Sequence, residues 1–298
     1  MLNYGLEAAL GSMLLIAVDG VIAKYMLRRF SMNAYVPMVL AIGLLPMLAA
    51  QYLYGGSYNL VLYLKYIIPG SIFLAAGYIL YYKALSQAEV SKVTIFSNIQ
   101  PLIIFIFGLF FLNEGISAIP LLGGMLIFIG STLGIYEKGI KIDRRLVPAV
   151  FANVSWGIYW IFMAGSVNQS NYVLPLLVAR AIASVIVTIF YLSIKSPAHQ
   201  KTTAPRPNSK SAVHKALAIT VLPLTILAVL IGSFVDSGIN LTFSLAISLS
   251  FAVLGSAIIA FAPMITAVIG RIAFKDELKP YQILGLVMAV IGAALVAI

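Results

Sequence analysis

Apolar residues fill this chain in long runs, separated by short polar stretches. Ten of the runs approach the roughly 20 residues that a bilayer-crossing helix needs. They are Leu6–Leu27, Tyr35–Tyr54, Leu60–Tyr82, Val90–Leu112, Ile119–Tyr136, Leu146–Ser166, Tyr172–Ile194, Leu217–Phe243, Ser250–Phe274 and Tyr281–Ile298. The connections are short except for Lys195–Lys215, KSPAHQKTTAPRPNSKSAVHK, whose three prolines and five basic residues predict a polar loop without a core. The N-terminal run lacks a basic leader and is interrupted by Asp19, so it reads as a first spanning helix rather than a cleaved signal.

Composition points the same way. Of 298 residues, 62% are hydrophobic and 9% charged, against roughly 25% charged in a soluble domain. A water-soluble core of this size would leave a greasy exterior. An ordinary cytosolic enzyme, a disordered chain and a nucleic-acid module are all excluded, and the solvent for most of the chain is lipid. The net charge of +10 then belongs to loops facing the cytoplasm and its anionic lipid, not to a nucleic-acid partner. There is no cysteine, and the two histidines, His199 and His214, both fall in the polar loop. No thiolate, Cys-ligated metal or intramembrane His site is available, and no G-x-x-x-x-G-K-[ST] loop for a nucleotide occurs. Neither a cofactor nor a metal is implied.

The chain repeats itself. Ala84, Pro101, Gly108, Glu114, Gly123 and Gly130 recur as Ala246, Pro263, Gly270, Asp276, Gly285 and Gly292, each pair 162 positions apart. Asn33–Pro37 (NAYVP) also resembles Asn171–Pro175 (NYVLP). Two five-helix halves follow, residues 1–140 and 141–298. Because five is odd, the second half must enter the membrane inverted, the arrangement of many transporters with a substrate site between halves. The expected fold is all-α and integral to the membrane, with ten transmembrane helices as two inverted repeats.

The segments ALSQAEVSKVTIFSNIQPLIIFIFGLFFLNEGISAIPLLGGMLIFIG (Ala84–Gly130) and SLAISLSFAVLGSAIIAFAPMITAVIGRIAFKDELKPYQILGLVMAVIG (Ser244–Gly292) share small residues, a mid-span proline, an acidic residue past the helix end and a glycine-spaced helix. In this the chain resembles the ten-helix EamA-type transporters of the drug/metabolite transporter superfamily, as do Trp156-Gly157 and Arg180. Asp19-Gly20 departs from the Trp-Gly usual in the first half of that family. The resemblance implies a multi-pass carrier of amino acids, sugars, drugs or other metabolites.

Charge inside a membrane is costly and normally turned toward the protein interior. Asp19 lies mid-way along the first span. Arg180 lies about 8 residues into its span, roughly 12 Å, and Asp236 about 7 residues from the end of its own, roughly 10 Å, which brings the two to similar depth. Either they form a permanent ion pair between helices, or they face a cavity and hold solute charge, Arg for a carboxylate and Asp for an ammonium, as an amino-acid-like zwitterion would need. Asp19 is either a solvated acid without a transport role or a proton-coupling acid. Asn240 shares a helix face with Asp236, and the 162 offset maps it onto Tyr78, with Tyr82 one turn on. Asn98, next to Pro101, and Asn153, Trp156, Tyr159 and Trp160 complete the candidate lining. Lys24 is expected to snorkel to the interface, and Glu89 and Lys92 to form a local surface pair. The glycines at seven-residue spacing predict close helix packing, between halves or between protomers.

Together these features predict a cell-membrane secondary transporter moving a small organic solute by alternating access, an exporter in the simplest case, drawing on a proton or solute gradient. The alternative is a membrane-embedded lipid- or isoprenoid-modifying enzyme, which would want clustered acids or a His. Partners are the solute, membrane lipid and a proton, with the chain a monomer or homodimer. Lys and Arg crowd the loops after odd-numbered spans, with only Lys65 after an even one. That places both termini outside, opposite to the family expectation of termini inside.

Overall fold

The computed structural model describes residues 2–100, 102–104, 118–137, 141–167, 170–194, 212–249, 258–259 and 261–296. These form helices α1 (Leu2–Leu27), α2 (Met32–Ile42), α3 (Leu44–Tyr54), α4 (Leu60–Gln87), α5 (Val90–Thr94), α6 (Ala118–Ile135), α7 (Val147–Ala164), α8 (Leu174–Ser193), α9 (Ala212–Ser248), α10 (Ala262–Phe274) and α11 (Pro280–Val296). A two-residue antiparallel ladder, Tyr136–Glu137 with Lys141–Ile142, links the halves. Among the described residues, six helices are long and apolar enough to cross a membrane, and Val90–Ile104, Ala262–Phe274 and Pro280–Gly292 are shorter apolar helices. The polar loop through residue 211, and Gly108, Glu114 and Pro101 of the repeat, lie outside the described residues.

Three departures from the expected runs have physical causes. The run Tyr35–Tyr54 is hinged: α2 ends and α3 begins at Gly43. Pro46 has no N–H for the Ile42 carbonyl, so the helical ladder weakens there. The run from Val90 narrows after one turn of α5 to a 3₁₀ turn, Ile95–Asn98, just where Pro101 offers no N–H to the Ser97 carbonyl. Pro263, expected in mid-span, instead stands in the first turn of α10, where a missing N–H costs nothing.

The helices pack through small residues and hydroxyls. α6 and α11 run antiparallel in close contact. A Cβ on Gly285 would come within 2.5 Å of the Gly130 carbonyl oxygen, and one on Gly292 within 2.5 Å of that of Gly123. Both contacts therefore need glycine, and they join the two halves within one chain. α1 packs on α9 through Ser12, whose hydroxyl meets Thr242 Oγ1 at 2.6 Å, and on α10, where Thr266 Oγ1 lies 3.1 Å from the Ala17 carbonyl oxygen.

Lys24 does not snorkel to the interface. Its Nζ donates to the Leu85 and Ala88 carbonyls, both at 2.6 Å, supplying a cation and two donors to the C-terminus of α4, where carbonyls lack helical partners. Glu89 and Lys92 do pair locally, at 3.1 Å. Asp276, beyond α10, accepts from the Ser91 backbone N–H (3.1 Å) and hydroxyl (2.8 Å). At the join of the halves, the Arg145 side chain and backbone N–H hold the Asp143 carboxyl below its ordinary value.

Candidate functional site

The interior charges are organised around the hinge at Gly43. Arg180, on α8, is 1% exposed. Its Nη1 pairs with Asp236 Oδ2 on α9 at 2.6 Å. Its Nε donates to the Leu40 carbonyl at 3.0 Å and its Nη2 to the Val39 carbonyl at 2.8 Å. These two carbonyls belong to the last turn of α2. A Cβ at Gly43 would fall on the guanidinium itself, so glycine is what lets Arg180 reach the hinge. Ser237, beside Asp236, donates to the Gly43 carbonyl at 2.8 Å. On the other side of Asp236, the Tyr78 hydroxyl lies 2.7 and 2.8 Å from the two carboxylate oxygens. The guanidinium fork is thus divided between one carboxylate and two backbone carbonyls.

Beside this cluster lies a cavity of about 90 Å³, several times the space one buried water requires. Asp19, Tyr78, Asn153, Trp156, Tyr159, Trp160, Asp236 and Asn240 line it together. The three other sequence candidates are placed elsewhere. Arg180 lies behind Asp236, outside the lining, because its donors are spent on the pair and the hinge. Tyr82 is buried one turn further along α4, stacked on Tyr78 at 5.7–6.1 Å from Tyr35 and Tyr78 ring centres. Asn98 is buried in the 3₁₀ turn, and its amide atoms have no partner among the described residues.

The wall is aromatic as well as polar. Trp156 meets Tyr81 at 5.0 Å and Tyr78 at 5.8 Å between ring centres, and Trp160 meets Phe243 at 4.6 Å. Thr94, Ser97, Gln100, Phe243 and Thr266 also line the cavity without having been picked out from sequence. For Phe243 a signal existed, since the 162 offset maps it onto Tyr81. Thr94 and Thr266 look like ordinary helix threonines in sequence, and only packing turns them inward. Among the described residues no group of three or more His, Asp or Glu side chains is placed to hold a metal.

Solved structures share this arrangement of helices. One, described only as the crystal structure of a protein, matches 98% of this chain and 96% of its own at 16% identity, with a TM-score of 0.65; at that identity the likeness concerns the fold alone. No curated protein matches the chain. The family model for EamA-like transporters matches twice, over residues 3–136 and 146–298, and so takes in both helical halves that wall the cavity. The chain therefore belongs to the EamA-like transporter family, and is a multi-pass membrane transporter of the drug/metabolite transporter superfamily.

Proposed function

We propose that this chain is a secondary transporter that carries a small organic solute by alternating access, its two halves rocking about the central cavity. One observation carries the reading: the cavity is walled from both halves, by Asp19, Tyr78 and Thr94 from the first and Trp156, Asp236 and Thr266 from the second. A site divided in this way opens to one face or the other as the halves tilt.

We take the halves as inverted five-helix repeats joined near residue 140, ten spans in all. The exchanged glycine contacts support this. The 162 offset converts the Gly130–Gly285 contact into the Gly292–Gly123 contact, and both occur between antiparallel helices. A two-fold axis that exchanges two antiparallel helices lies perpendicular to them, which for spanning helices means in the membrane plane. The loop charges favour termini outside the cell membrane. Export of a metabolite is the simplest direction for such a carrier. Asp19, an acid in the cavity with no hydrogen bond or ion pair among the described residues, is the group through which proton coupling would run.

The test is flux into proteoliposomes holding the purified chain, with radiolabelled amino acids and other metabolites, with and without a pH gradient. Saturable flux above empty liposomes is expected. Asp19→Asn should lose the response to the pH gradient. Gradient-driven flux unchanged in that variant removes Asp19 from coupling, and absence of flux for every solute class overturns the reading.

A further inference from the structure

The chemistry of the cavity wall narrows the class of solute; this inference rests on the solute being seated there. Consider charge first. Asp236 is matched by Arg180 at 2.6 Å, but Asp19 lines the same cavity with no hydrogen bond or ion pair among the described residues. The wall therefore carries one carboxylate more than its cations match.

Some hydrogen-bond donors of the wall are committed, while the Trp156 Nε1–H has no partner among the described residues. The Thr94 and Thr266 hydroxyls donate to the Val90 and Ala262 carbonyls at 3.1 and 3.0 Å. The Asn153 and Asn240 amides donate to the Ala149 and Asp236 carbonyls at 2.8 and 2.9 Å. The threonines are left with lone pairs, and each asparagine with its carbonyl oxygen and one N–H. Asn153 is fully buried, lines the cavity, and its Oδ1 has no partner among the described residues. A buried acceptor left unpaired is costly, so this oxygen is a place for a guest's N–H.

The rest of the wall consists of π faces. Tyr81, Trp156, Tyr159, Trp160 and Phe243 surround the same space, and aromatic faces attract cations as well as apolar surface. One unmatched carboxylate, an unpaired buried acceptor and aromatic faces favour the same guest. We propose that the cavity takes a protonated primary or secondary amine on an apolar or aromatic body, its ammonium shared by Asp19 and Asn153 Oδ1. A zwitterion fits worse. Its carboxylate would share the cavity with Asp19 and Asp236, and the Arg180 fork that would have received it is occupied by Asp236, Val39 and Leu40.

Three isosteric probes test this on the full-length chain purified in detergent, by thermal shift and calorimetric titration at pH 7. They are phenethylammonium, neutral phenethyl alcohol and zwitterionic phenylalanine. Phenethylammonium should bind at least about tenfold more tightly than the alcohol, the loss expected when a charged hydrogen bond is replaced by a neutral one. Phenylalanine should bind no more tightly than the alcohol. Asp19→Asn should erase the difference between amine and alcohol; if that variant does not fold, the comparison on the unaltered chain decides alone. The proposal is overturned if phenylalanine equals or exceeds the amine, if amine and alcohol bind alike, or if none of the three saturates. Stabilisation by sodium over potassium chloride without discrimination among the organic probes also overturns it, since the carboxylate then serves an inorganic ion. Proteoliposome uptake of phenylalanine that phenethylammonium fails to inhibit rejects the amine class and leaves the transporter reading standing.

Discussion

Arg180 and Asp236 offer the sharpest quantitative test of how the interior is built. Each is buried, and each is the other's only ionic partner at bonding distance among the described residues. Removing one member of a buried pair strands the other charge and costs about 3–5 kcal/mol. Asp236→Asn should sit in this range, because Tyr78 can still donate to the amide oxygen. Arg180→Ala should cost more. It strands Asp236 and also unpairs the Val39 and Leu40 carbonyls at the Gly43 hinge, each worth about 1–3 kcal/mol if left unsatisfied. The double variant Arg180→Ala with Asp236→Asn removes both charges. It should therefore recover about 2–3 kcal/mol relative to the summed single costs, the upper range of coupling between contacting residues. The assay is reversible unfolding in mixed micelles followed by circular dichroism, with solute flux measured on the same preparations. Strictly additive costs, or an Arg180→Ala cost below about 1 kcal/mol, would refute the pair's structural role. Flux restored along with stability in the double variant would refute a role for the pair in holding solute.

Further outcomes follow from other parts of the structure. Gly285→Ala should cost about 1–3 kcal/mol, as overpacking does, because its Cβ would press on Gly130 and Leu133; a neutral change in the same micellar unfolding assay would show that α6 and α11 are not in contact there. Asp143 has a lowered folded pKa, so its contribution is present above the ordinary carboxylate value near about 3.9 and is lost as pH falls through the lower folded value. Its partner Arg145 is half-exposed, so Asp143→Asn should cost below about 1 kcal/mol at pH 7, with the difference disappearing in strong acid; a difference that grows in acid would reverse the sign and refute the assignment. Single cysteines at Ser57 and Ser86, near opposite ends of the 28-residue α4, should label from opposite sides. An impermeant maleimide applied outside should reach Ser57→Cys and spare Ser86→Cys, and the opposite pattern would show that the loop charges misdirect the topology.

What could be read from the sequence was whatever periodicity and cost make unavoidable. Apolar runs long enough to span, a repeat at fixed offset, and three charges that lipid would not tolerate all leave marks in one dimension. The similar depth of Arg180 and Asp236 followed from helix rise alone. What escaped were features decided by the third dimension. Counting residues gives the depth of Arg180 but not the direction of its five donors, and the carbonyls it takes are 140 residues away in sequence. The break at Gly43 was written in the chain as G-L-L-P, but hydropathy runs straight through it. Lys24 looked like a snorkelling lysine because its distance from the helix end is the same whether it reaches lipid headgroups or the end of α4.

The repeat also explains where the chemistry of the cavity resides. Under the 162 offset, Tyr78 and Asn240 correspond, as do Leu74 and Asp236, and all four line the cavity. The weaker correspondence of the early helices sets Asp19 against Trp156 and Arg180 against Ile42. Each of Asp19, Arg180 and Asp236 therefore stands opposite an uncharged residue in the other half. Inverted halves of identical sequence would give a cavity whose two ends are electrostatically alike, with a polar guest free to bind either way round. Here the glycines, prolines and small residues that shape the frame are kept at the offset, while Asp19, Arg180 and Asp236 break it. Asp236 is neutralised by an arginine that also holds the hinge of the first half's second span, and Asp19 is left facing the cavity. On the proposed mechanism, the frame tilts nearly symmetrically about its axis while the proposed amine keeps one orientation, with its charged end toward α1 and its body toward the aromatic residues of α4 and α7.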